Sequence, residues 1–301
     1  MNIELRPPRL DEVAALTELI NRDAIELYGA PEESEESMRM WLIGPKLNPE
    51  TDARVAVADG SLRGYVDLDS DPHPIYWADL RVPPAESEDV RVALTEWVEG
   101  RVSEREGDLL RFHAASVDNR LKRLLESRGY RVIRHFYRMR IELDGEVPEP
   151  EWPPGLTVRR AAPDDAHLAY DVHQETFEDH WEHARMTLEE WEHVFTGDPR
   201  FDPTLWFMVE GADDVAAIAL CRERDAEKGV GWVSVMGVRK PWRRKGVGRA
   251  LLLHCFHEFR RRGFHAGALG VDAESLTGAN RLYESAGMRV VRRSDVYEKT
   301  I

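Results

Sequence analysis

The 301-residue sequence is poor in cysteine, holding only Cys221 and Cys255. They stand far apart and lack metal-site spacing, so neither a disulfide framework nor a zinc site is suggested. Long apolar runs are also missing. "VAAIALC", Val215 to Cys221, is typical, and it falls far short of the ~20 residues that cross a bilayer. The opening "MNIELRPPRLDE" has no basic segment followed by an apolar one, which reads against a secretory signal. Positive charge is in deficit, with a formal net charge of −15. That balance argues against general nucleic-acid binding, which needs a basic footprint, and an acidic surface serves solubility. The expectation is a cytoplasmic chain with no membrane and no nucleic-acid partner, monomeric or homodimeric.

The length suits two domains of about 150 residues, and an internal repeat supports that division. "RLLESRGYRVIR", Arg123 to Arg134, and "RLYESAGMRVVR", Arg281 to Arg292, agree at eight of twelve positions. The halves also begin alike, with "IELRPPRLDEV" from Ile3 and "LTVRRAAPDDA" from Leu156. "DGEVPEPEWPPG", Asp144 to Gly155, holds four prolines and four acids, a composition that gives stiff extended linkers. Expected boundaries are therefore a first domain at 1–145, a linker at 146–155 and a second domain at 156–301.

Strand and helix patterns alternate in both halves, which predicts α/β (α+β) domains with a mixed central sheet flanked by helices. In the second half, Leu156–Arg160 alternates as a strand and Asp164–Phe177 reads as a helix. Thr187 with Glu190 forms a capping box before another helix. "TLWFMVEG", "DVAAIALCRE", "GWVSVMGV" and "HAGALGVD" are strand runs, and Gly246–Arg262 has helical periodicity. Thr277 caps a helix that ends at Gly287, and the tail is a strand pair or one long strand. The first half predicts strands near Arg54–Ala58, Leu62–Leu68, Ile75–Val82 and Leu109–Ala114. Its helices are expected at Leu10–Leu27, Ser87–Val102 and Asn119–Ser127.

Scarce as they are overall, six basic residues crowd into "VRKPWRRKGVGRALL", Val238 to Leu252, between a strand and a helix. A helix N-terminus presents free N–H groups and a partial positive charge. Gly246 and Gly248 permit close backbone approach, while Arg243, Arg244, Lys245 and Arg249 add full charge. The natural occupant is a diphosphate. The spacing fits neither a Walker loop nor a dinucleotide fingerprint.

"Arg243-x-x-Gly246-x-Gly248" after a strand resembles the acyl-coenzyme-A signature of the GNAT superfamily of N-acetyltransferases. "Asn280-Arg-Leu-Tyr283-Glu-Ser-Ala-Gly287" resembles that superfamily's next motif. The resemblance covers the whole second half. It implies acetyl-CoA as co-substrate, with the pyrophosphate on the amides of Arg244, Lys245, Gly246, Val247, Gly248, Arg249 and Ala250. It further implies pantetheine pairing with the backbone of Met236 and Val238, an Asn280 contact to the pantetheine arm, and Tyr283 as the acid that protonates the leaving thiolate. The first half reads "RVPPAESEDVRVAL" at the matching place, with Glu86, Glu88 and Asp89 in place of the basic residues and Leu125 in place of Tyr283. The expectation is a degenerate first domain beside a catalytic second one, as in tandem members such as mycothiol-synthase-like proteins.

Acceptor residues are expected in "FEDHWEHARM", where Glu178, Asp179, His180, Glu182 and His183 could attract a cationic amine or act as base. Many family members carry a carboxylate on the strand before the phosphate turn; here that strand offers Trp232 and Ser234. The base candidates are thus His180, or a water relayed through Ser234, with no metal invoked. The leading expectation is direct attack of a small-molecule amine on acetyl-CoA. Its rivals are acetylation of a thiol-precursor amine and a non-catalytic acyl-CoA-binding scaffold.

Overall fold

The computed structural model describes residues 2–71, 75–182, 185–197, 201–212, 214–224, 229–275 and 278–301. In chain order the first elements are β1 (Glu4–Arg6), α1 (Val13–Tyr28), α2 (Glu35–Ile43), α3 (Pro49–Asp52), β2 (Ala53–Ala58), β3 (Ser61–Asp71), β4 (Ile75–Arg81), α4 (Glu88–Glu104), β5 (Leu109–Ala115), α5 (Asn119–Ser127) and β6 (Arg131–Glu142). There follow β7 (Thr157–Arg160), α6 (Ala166–Phe177), α7 (Leu188–Phe195), β8 (Trp206–Glu210), β9 (Val215–Glu223), β10 (Val230–Val238), α8 (Val247–Arg261), β11 (Ala266–Asp272), α9 (Ala279–Ser285) and β12 (Arg289–Thr300). The mixed α/β class is as the alternating pattern implies. Helices α2 and α3 have no counterpart among the sequence expectations, and Leu10–Glu12 forms a separate 3₁₀ turn ahead of α1.

Packing divides the chain into two units. The first holds residues up to Phe136 together with Arg292–Ile301; the second holds Tyr137–Arg224 and the described residues up to Val291. The units are therefore not simply the two halves of the chain. Strand β12 pairs antiparallel with β5 from Ser294↔Ala115 to Thr300↔Leu109, inside the first unit. Tyr297 is buried there, and its phenol donates to Glu126 at 2.9 Å. In the second unit, Met139 and Leu143 enter the same core as α8. The Leu143 N–H bonds the carbonyl of His265 at 2.8 Å.

Within the first unit the strand order is β1-β2-β3-β4-β5-β12. Val90, Leu94 and Val98 of α4 are buried against Val66, Leu68 and Ala78 of the sheet. The second unit orders β7-β8-β9-β10-β11, with β6 beside β11. On one face, Val247, Leu251, Cys255 and Phe259 of α8 form the largest apolar cluster with the sheet. Gly231 makes that contact possible: a Cβ there would lie 2.4 Å from the Phe259 ring. The opposite face carries α6 and α7, with Trp191 fully buried between Trp206 and Tyr170. The capping box expected for α7 is present. Thr187 Oγ1 accepts from the Glu190 N–H at 3.2 Å, and the Glu190 carboxylate accepts from the Thr187 N–H at 2.7 Å. The two cysteines, distant in sequence, meet in this unit as buried free thiols with Sγ···Sγ at 3.8 Å.

Candidate active site

The site grows from an irregularity in β10. Its pairing with β9 shifts register between Val233 and Val235. A bulge adds one residue and turns the side chains after it to the other face. Val233 accordingly packs with α8, and Val235, two residues on, packs with α6 and α7. Parallel pairing with β11 runs only from Val230↔Ala266 to Val233↔Leu269, although β10 continues to Val238 and β11 to Asp272. The end of β10 thus presents a strand edge not satisfied by β11. An extended ligand chain with amide groups can hydrogen-bond to such an edge.

Beyond β10 the basic turn leads into α8. Gly246 is the N-cap at φ 88°, in the left-handed region, with no side chain capping the helix. The Ala250 N–H bonds back to the Gly246 carbonyl at 3.0 Å, so the N–H groups before it have no helical partner. Arg244 is also left-handed, at φ 59°. Two such residues so close together curl the backbone into a concave set of donors suited to an anion. Gly248 serves close packing instead, since a Cβ there would stand 2.9 Å from Leu282 of α9.

The charged residues of the turn divide into two groups. Arg243 points inward: its guanidinium donates to the Val238 carbonyl at 3.0 Å, the Thr176 carbonyl at 3.2 Å and Asp179 at 2.9 Å. It locks the turn against α6. Lys240 bonds Glu178 at 2.5 Å and approaches Asp179 at 3.4 Å. The Arg243 hydrogen bond holds the Asp179 carboxyl below its usual range. Glu178 and Asp179, expected to attract an amine, are thereby neutralised by the turn itself. Among the described residues no ion pair involves Arg244, Lys245 or Arg249. Arg244 and Lys245 are exposed and Arg249 is half-buried. Lys245 lies 5.2 Å over the Trp242 ring.

A cleft of about 680 Å³ joins these parts, lined among others by His180, Met236, Val238, Arg244, Gly248 and Tyr283. Tyr283 comes from α9, is only 8% exposed, and has its phenol pushed up to about 12 by burial. At neutral pH it holds its proton and can donate it. His180 packs on Phe177, with ring centroids 4.1 Å apart. Asn280 donates through Nδ2 to the carbonyls of Asp272 at 3.1 Å and Ala273 at 2.9 Å, while among the described residues its buried Oδ1 has no partner. Its chain neighbour Ala279 lines the cleft, and a buried acceptor left open is suited to a ligand N–H. Ser234 faces elsewhere, lining a second cavity of about 220 Å³ with Trp232, Arg222 and aromatic residues of α7 and β8. The structure therefore brings Tyr283, His180 and the turn together and separates Ser234 from them. His183 and Thr277 lie outside the described residues.

Sequence reasoning missed Thr176 and Gly237. A Cβ on Gly237 would meet Thr176 Oγ1 at 2.2 Å, so this glycine lets α6 lie against β10 at the cleft. A glycine inside a strand run was the available signal. In the first unit the corresponding helix start is closed by its own residues. Ser87 caps α4 by accepting from the Asp89 N–H at 3.3 Å. Buried Arg91 fills the loop, bonding the carbonyls of Val82 at 2.6 Å and Pro83 at 3.0 Å. Glu86 is paired with Arg22 at 2.8 Å.

Comparison with known proteins agrees with this geometry. Residues 166–288 match the acetyltransferase (GNAT) family. The chain is 31% identical over 292 residues to a mycothiol acetyltransferase of Salinispora arenicola, covering 94% of this chain and 91% of that protein. A solved GCN5-related N-acetyltransferase from Sphaerobacter thermophilus superposes with a TM-score of 0.83 at 30% identity, covering 99% of this chain and 95% of that one. A tandem GNAT protein from the clavulanic acid biosynthesis pathway shares the fold, with a TM-score of 0.79 at 14% identity over 99% of this chain and 98% of that one. The chain belongs to the GNAT family. It is an N-acetyltransferase, and acetyl-CoA is its donor. Among the described residues no helix is long and apolar enough to cross a membrane.

Proposed function

We propose that the chain acetylates a primary amine of a small molecule in the second unit, and that the first unit has lost the donor site. One observation carries this reading. The uncapped basic turn and the protonated phenol of Tyr283 line the same cleft, whereas the matching helix of the first unit is capped by Ser87. In sequence terms the catalytic domain is 156–301, joined to 1–145 through the segment 146–155.

When bound, acetyl-CoA supplies an activated thioester carbonyl. The amides of residues 244–250 would hold its diphosphate with Arg244, Lys245 and Arg249. The edge at Met236 and Val238 would align its pantetheine arm, and Asn280 Oδ1 would accept one of that arm's N–H groups. Tyr283 would give its proton to the departing sulfur, which matches donor to developing charge. His180, on the same cleft, is the candidate to take the proton of the attacking amine. Ser234 would act only from the neighbouring cavity. An acyl-enzyme route has no support, since Cys221 is buried and its thiol is held well above its usual range by burial.

A second reading is favoured by the relatives' name: the acceptor would be an amine of a thiol precursor, as mycothiol chemistry implies. Against it, β10 carries Trp232 and Ser234 and no carboxylate. Thiol release measured with acetyl-CoA and a panel of amino sugars, polyamines, aminoglycosides and a thiol-bearing amino sugar separates these readings. Acceleration by one class of small amine is the expected result. Tight acetyl-CoA binding with no acceleration by any of them would return the chain to a scaffold role.

A further inference from the structure

A third cavity, of about 600 Å³, is lined wholly by residues of the first unit. Its lining includes Trp41, Tyr65, Asp67, Trp77, Asp79 and Arg81. Strands β3 and β4 place Tyr65 opposite Arg81, Asp67 opposite Asp79, and Asp69 opposite Trp77. These register partners share a face, so two carboxylates stand directly across from one another. Such like-charge pairs destabilise a sheet.

The two carboxylates differ in their support. Asp79 is met by Arg81 at 2.8 Å, and Arg81 also reaches Glu32 at 3.2 Å. Asp67 is 4% exposed, and among the described residues no cation pairs with it. Among the described residues it accepts from two neutral donors only, the Tyr65 phenol and the Trp41 indole N–H, both at 2.7 Å and both on Oδ2. Among those residues its Oδ1 accepts no hydrogen bond. A buried carboxylate without a counter-ion is costly, and here it faces a cavity walled by aromatic rings, the surroundings that favour an organic cation. Burial first, then Asp79, pushes the Asp67 carboxyl up to about 7, against the Tyr65 and Trp41 bonds and Arg81. The strand pattern Trp77-Ala-Asp79 also mirrors Trp232-Val-Ser234 of β10, with a carboxylate where the second unit has a hydroxyl.

We infer that this cavity is a binding site for a small organic cation, a protonated amine carried on an apolar group, with Asp67 as its charge partner and Trp41 and Trp77 as its walls. The inference does not rest on the reading of the acetyl-CoA cleft. The whole chain is titrated calorimetrically with 2-phenylethylamine and with its neutral isostere 2-phenylethanol. The amine is expected to bind at one site, at least about tenfold more tightly than the alcohol, a difference of ~1.4 kcal/mol. Asp67→Asn, which can still accept from Tyr65 and Trp41, is expected to lose that preference and leave acetyl-CoA affinity unchanged. It also removes a carboxyl whose ionisation above pH 7 opposes folding, so its thermal midpoint at pH 8 should rise. Equal binding of amine and alcohol, undiminished amine binding by Asp67→Asn, or no binding of the amine up to roughly 10 mM would overturn the inference.

Discussion

Tyr283→Phe is expected to lower kcat about 10²–10³-fold and to leave acetyl-CoA affinity within about twofold, because on the proposed mechanism it would remove the general acid and little else. Tyr283 is buried in the core formed with α8 and also lines the cleft. Phenylalanine fills the same space, so packing is preserved and only the hydroxyl is lost. The leaving thiolate would then depart unprotonated, at a barrier higher by ~3–4 kcal/mol. Burial also decides the pH dependence. With the phenol pushed up to about 12, it stays protonated across the working range, so kcat should show no alkaline loss through Tyr283 below about pH 10. Pre-steady-state and steady-state thiol release by the two proteins checks both points. An unchanged kcat in the variant would assign the acid elsewhere.

Gly246→Glu is expected to weaken acetyl-CoA binding about 100-fold. Two effects add. Gly246 sits at φ 88°, where an L side chain costs ~1–2 kcal/mol. The introduced carboxylate then opposes a diphosphate at the helix start, worth ~1 kcal/mol or more for each close pair near a surface. No atom lies within 4 Å of a Cβ placed there, so neighbouring packing does not contribute. Gly246→Ala separates the terms: it carries only the backbone part and should weaken binding about tenfold or less. Equal losses in the two variants would mean that backbone shape, and not charge, governs the loop.

Much of this was legible in the sequence because it is local. Helix α8, the Thr187 capping box and the turn at Gly287 depend on residues near one another in the chain. The repeat at Arg123 and Arg281 exposed the duplicated architecture, and the glycine pair marked the turn. What stayed hidden is set by pairing between distant segments. The bulge between Val233 and Val235 appears only when β9 and β10 are laid in register, and Ser234 shares the face of Trp232, which opens on a different cavity from that of Tyr283. Arg243 counts as a ligand charge in sequence, yet it folds back onto Val238 and Thr176. Lys240 and Arg243 consume Glu178 and Asp179, acids that composition alone would offer to an amine. The cysteines meet for the same reason, across β9 and α8. Helix α2 spans nine residues and α3 four, lengths at which periodicity carries little signal.

The most direct test of the account is the stoichiometry of acetyl-CoA binding by calorimetry on the whole chain. One site per chain, weakened in Gly246→Glu, is the predicted result, with the open helix start of α8 filled and the capped start of α4 empty. Two sites per chain would contradict it, because the loop closed by Ser87 and Arg91 would then be a donor site as well.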